Sequence, residues 1–129
     1  MYKEIIICSI VIIIVVSLNI LTENYTKESV ALMTGNLENL KQNMILEEQN
    51  EENINKQIDN IVNNWNEKYK KLAYYIEHDE LEKVKTELVL LKGNIEIREY
   101  EQGIPNLNNC IFILEHIKEK TLLQIMNIF

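Results

Sequence analysis

Residues 5–21, IIICSIVIIIVVSLNIL, place 14 apolar side chains in 17 positions and carry no charge. Such a run has to leave water. As a helix, residues 5–22 would be about 27 Å long at 1.5 Å per residue, close to the ~30 Å hydrocarbon core of a bilayer. Ile and Val are indifferent helix formers in water, but within lipid the backbone must satisfy its own hydrogen bonds, and a single span can do so only as a helix. Tyr2 and Tyr25 flank the run and suit the two membrane interfaces. The expected organisation is therefore a tail over 1–4, a transmembrane helix over 5–22 acting as an uncleaved signal anchor, and an acidic helical domain over 23–129.

Two other readings of the run stay open. A cleaved signal peptide would have a shorter apolar region, of about 7–15 residues, and a small-residue cleavage site, for which Val15-Val16-Ser17 is a weak match. A buried core helix is the third. Cys8 comes too early for a lipoprotein. Lys3 and the α-amine lean toward a cytoplasmic N-terminus under the positive-inside rule, which places the body outside a cell membrane crossed once.

The remainder of the 129-residue chain is enough for one domain. The net charge of −7 and the single arginine, Arg98, argue against nucleic acid, which is bound by clustered Lys and Arg. An anionic membrane surface would not attract such a body as a whole either. Three glycines and one proline encode few turns, so an all-β sandwich or barrel is excluded. Cys8 lies at membrane depth and Cys110 far beyond it, so no intrachain disulfide is expected.

The acidic body reads as four helical stretches. Over about 26–48, Val30, Met33, Leu37, Leu40 and Met44 recur at the +3/+4 spacing of a coiled-coil seam, and no proline separates this stretch from the apolar run. Over about 53–77, Ile54, Ile58, Ile61, Trp65, Tyr69, Leu72 and Ile76 keep the helical period. Over about 80–100 the stripe is Leu81, Val84, Leu88, Leu91 and Ile95, with Asp79 and Glu82 spelling a capping box and Gly103-Ile104-Pro105 expected to stop the helix. Over about 106–125 it is Leu107, Cys110, Ile111, Leu114, Ile117 and Thr121, and the apolar end Met126-Asn127-Ile128-Phe129 is expected to dock. The fold class that follows is all-α: one transmembrane helix, then an up-and-down antiparallel bundle of three to four helices, with the first stretch either joining the bundle or standing away as a stalk.

Glu77-His78-Asp79-Glu80 is the densest titratable cluster. It could be a metal or acid–base site, but a helix corner capped by Asp79, with Glu80 near the positive helix end, explains it. The only other histidine, His116, would lie on the order of 15 Å away along the bundle axis, too far to share an ion. Cys110 and His116 sit about 120° apart on a helix and cannot act as nucleophile and base on one face. Trp65, Tyr69, Tyr74 and Tyr75 form an aromatic patch; the first two fit the core, and Tyr74 or Tyr75 a partner surface. No phosphate-binding glycine loop, CxxC pair or zinc-protease motif is present. No catalytic residue, cofactor or metal is expected.

The combination of an N-terminal span, Trp65, Leu72…Ile76-Glu77-His78-Asp79-Glu80-Leu81 and Leu114-Glu115-His116-Ile117 resembles a family of small, singly anchored helical proteins of spore-forming, low-GC Gram-positive bacteria, known as a domain of unknown function. The likeness extends from the span to Phe129. The resemblance implies a membrane protein, and a neighbouring multi-spanning membrane protein as partner; it transfers no functional residue. The expected function is that of a non-enzymatic, membrane-anchored interaction or accessory subunit, with a homo-oligomer as one form. A ligand-sensing extracytoplasmic bundle is the alternative, and a His78-centred hydrolase or metalloenzyme a third.

Overall fold

Four helices account for the chain in the computed structural model, which describes residues 1–128, with side chains through Gln124. They are α1 (Tyr2–Met44), α2 (Glu51–Leu72), α3 (His78–Glu96) and α4 (Tyr100–Ile128). The expected docking of Met126 to Phe129 falls outside the described side chains.

α1 is 43 residues long and has no break between the apolar run and the first stretch of the body. Its N-terminal part is long and apolar enough to cross a membrane, and none of its apolar residues is buried in the bundle. Its C-terminal part buries Thr26, Ser29, Val30, Met33, Leu37, Leu40 and Met44. The first stretch is thus a full bundle member and not a stalk. Gln49 donates from Nε2 to the Met44 carbonyl at 2.8 Å and satisfies one of the acceptors left at the helix end.

α1 packs on α2 and α4, and α3 packs on the same two, so α1 and α3 lie diagonally across a four-helix bundle. Short connections at 45–50, 73–77 and 97–99 reverse the chain each time. The stripes meet in one core: Met33, Leu37 and Leu40 from α1, Ile54, Ile58, Ile61 and Trp65 from α2, Leu81, Leu88 and Leu91 from α3, and Leu107, Cys110 and Leu114 from α4.

Several boundaries differ from the sequence expectation: α1 ends at Met44 and not at 48, and α2 at Leu72 and not at 77, which leaves Ile76 in the connection. α2 begins at Glu51, because Asn50 caps it by accepting the Asn53 amide on Oδ1 at 3.1 Å. α3 begins at His78 with Glu77 in the N-cap position and no side-chain cap bond, so Asp79 lies in the first helical turn and is not the cap. There its carboxylate still meets the positive helix end. Finally, Gly103-Ile104-Pro105 does not stop a helix. The chain reverses earlier, at Arg98, whose φ of 61° is left-handed. The Arg98 amide bonds the Ile95 carbonyl at 3.0 Å and the Glu99 amide the Asn94 carbonyl at 2.8 Å, which is the Schellman pairing. Pro105 then falls inside α4 near its start, where it removes one backbone bond.

Candidate functional site

The polar features gather at the end of the bundle where α1 leaves the apolar run. The α2–α3 connection, residues 73–77, folds over this end. Tyr75 reaches across it to α1: its hydroxyl lies 2.7 Å from Thr26 Oγ1 and donates to the Thr22 carbonyl at 3.2 Å. Thr26 Oγ1 also lies 2.8 Å from Thr22 O; with one proton on each hydroxyl, Thr26 donates to the phenol oxygen while Tyr75 donates to the carbonyl. Burial pushes the Tyr75 phenol above its usual range, and the bond to Thr26 opposes that in part. Ser29, one turn further, is buried with Oγ unpartnered.

The Glu77-His78-Asp79-Glu80 cluster is distributed over several contacts. His78 Nδ1 lies 3.1 Å from the Tyr69 hydroxyl, and Nε2 lies 3.4 Å from Glu82 Oε1. One tautomer satisfies both, with Tyr69 donating to Nδ1 and Nε2–H facing the carboxylate. Tyr69 in turn packs at 60° to Trp65, ring centroids 6.3 Å apart, and Trp65 is buried in the core. His78 therefore ties the start of α3 to α2. Lys120 of α4 lies 3.5 Å from Glu77 and 3.8 Å from Glu80, and Lys83 lies 3.9 Å from Glu80. Asp79 is exposed, and Tyr74 is 89% exposed. A small cavity of about 30 Å³, the size of one water, sits among Tyr75, Ile76, Glu80, Lys120 and Thr121.

His116 is exposed on α4. Lys120, one helical turn beyond His116, is the α4 residue that pairs with Glu77 and Glu80. Among the described residues, no group of three or more His, Cys, Asp or Glu side chains could hold a metal.

Sequence reasoning missed two features. Asn36, Asn39, Gln57, Asn60, Asn63 and Asn64 line an open groove of about 330 Å³ between α1 and α2, with Ile61 in its floor. The spacing of single asparagines on two helices gives no local signal for it. The second is a pair of lysines over Tyr25: Lys68 and Lys71 Nζ each lie 5.3 Å from its ring centroid. Only the pairing of α1 with α2 brings them together.

A family model described as a domain of unknown function (DUF4363) matches residues 20–128. No curated protein and no solved structure matches the chain.

Proposed function

The chain belongs to DUF4363, a domain of unknown function, and on that footing we propose that it is a non-enzymatic, single-pass membrane protein whose bundle acts as an interaction or accessory subunit at the membrane. The observation that carries this reading is α1 itself. One unbroken helix is apolar with no buried residue over its first half and forms a wall of the bundle core over its second. Exposed apolar surface of this size is stable in lipid and costly in water. The bundle then stands at a fixed height and orientation on the bilayer, as an adaptor to another membrane protein requires. Lys3 and the α-amine favour a cytoplasmic tail and an extracytoplasmic body. Tyr74, Val89, Ile97 and Phe112 stand outside the core, 61–89% exposed, and supply apolar contact sites for a partner, such as a multi-spanning membrane protein or a second copy of this chain.

Crosslinking in intact cells, solubilisation in mild detergent and mass spectrometry of what accompanies a C-terminally tagged chain test the proposal. One stoichiometric membrane partner is expected. A chain recovered alone and monomeric would count against it. The groove between α1 and α2 favours a second reading, an extracytoplasmic sensor of a neutral, hydrogen-bonding ligand. A ligand-induced rise in melting temperature that Asn60→Leu abolishes would support that reading.

A further inference from the structure

We propose that Tyr25, Lys68 and Lys71 form a binding site for the phosphate of an anionic phospholipid headgroup, which fixes how the bundle sits on the membrane. This rests on the anchor reading above. Three observations carry it.

The first is height. α1 is continuous, so Tyr25 lies about 6 Å beyond Leu21, the last residue of the apolar run. Each headgroup layer of a bilayer is about 5–7 Å deep. Tyr25 is therefore held at the phosphates, at the level where tyrosine rings concentrate.

The second is convergence of charge. Lys68 and Lys71 come from α2 and place both ammonium groups 5.3 Å from the one Tyr25 ring. Neither lysine belongs to an ion pair among the described residues, and the nearby Glu23 is committed to Lys27 at 2.8 Å. The Tyr25 ring holds both ammonium groups near one point of the surface, a cation–π arrangement that leaves their N–H donors free toward solvent. A phosphate at that point would meet two positive charges together with the tyrosine hydroxyl.

The third is fixation. Tyr75 ties the end of α2 to Thr26 and Thr22, one residue and three residues from Tyr25, so the lysines cannot drift along α1. A body of net charge −7 is repelled by an anionic surface as a whole, and a local cationic site at its base gives the contact a direction.

The test uses the full chain in lipid nanodiscs of phosphatidylcholine, titrated with phosphatidylglycerol and read by native mass spectrometry after release. The parent chain should retain phosphatidylglycerol in preference to phosphatidylcholine. K68Q/K71Q should need about thirtyfold more phosphatidylglycerol for the same occupancy, the factor for two lysines at ~1 kcal/mol each. Lys85→Gln, on the exposed surface of α3, should change nothing. Equal occupancy in the parent and in K68Q/K71Q overturns the inference, as does a parent without preference. Extraction of the parent chain from cell membranes by alkaline carbonate would instead overturn the anchor reading, and this site with it. Unchanged thermal unfolding of K68Q/K71Q separates loss of binding from loss of fold.

Discussion

The Tyr75 hydroxyl and Thr26 Oγ1 lie 2.7 Å apart across 49 residues of sequence. This bond joins the α2–α3 connection to α1 where the helix emerges from its apolar run. It is partly buried, so its loss is not made good by water in full. Tyr75→Phe should lower stability by about 1 kcal/mol, or roughly 4–8 °C in melting temperature for a body of this size. Thr26→Val should cost a similar amount, and the double variant less than the sum. Thermal unfolding followed by circular dichroism in detergent would check all three; strict additivity would mean that the two hydroxyls act separately.

Cys110 makes the bundle sensitive to alkali. Burial, and secondarily the Glu87 carboxylate, push its thiol from 9.0 up to about 12. The folded chain thus holds this proton more tightly than the unfolded chain. The corresponding stability is complete below about pH 9 and is lost as the pH rises toward 12. Tyr75, also raised, acts in the same direction once the pH passes the usual tyrosine value of 10.0. Denaturant midpoints between pH 8 and pH 11 should fall less steeply for Cys110→Ala than for the parent. Parallel slopes would show that the thiol is solvated.

Gly103 holds α4 close to two neighbours. A Cβ there would lie 3.2 Å from Leu91 Cδ1, 3.2 Å from Met44 Cε and 3.4 Å from Asn94 Cβ. Gly103→Val adds two further methyl groups at a buried position and should destabilise by about 1–3 kcal/mol, more than any helix-propensity gain over glycine. A denaturant midpoint equal to that of the parent would mean that α4 can move off α1 and α3 freely.

Gly103 also shows where sequence reasoning succeeded and failed. The +3/+4 stripes named the core closely: Met33, Leu37 and Leu40 in α1, or Leu81, Val84 and Leu88 in α3, are buried as their spacing requires. The helix ends were less legible. Glycine followed by proline usually marks a stop, yet here the glycine serves close packing and the proline sits early enough in α4 to cost a single bond. The real reversal uses Arg98 in a left-handed conformation, a position that glycine normally marks. Its side chain pairs with Glu51 at 3.2 Å, a contact between distant elements that no local pattern announces. The candidate site was partly legible in the same way. Residue type singles out Tyr69 and His78, but their contact across the α2–α3 connection follows only from the structure. The lysines over Tyr25 come from another helix, and only the packing of α2 on α1 shows them.

The central claim is that one rigid helix runs from the lipid into the bundle. The most direct test is a distance measurement by double electron–electron resonance in lipid bilayers. Spin labels would replace Ile12 in the apolar run and Glu38 on the exposed side of the bundle part of α1, with Cys8 and Cys110 changed to alanine. A continuous helix over these 26 residues places the labelled backbone positions about 39 Å apart, and the distribution should be narrow. A broad distribution centred well below that distance would contradict the account, because the span and the bundle would then be joined by a hinge.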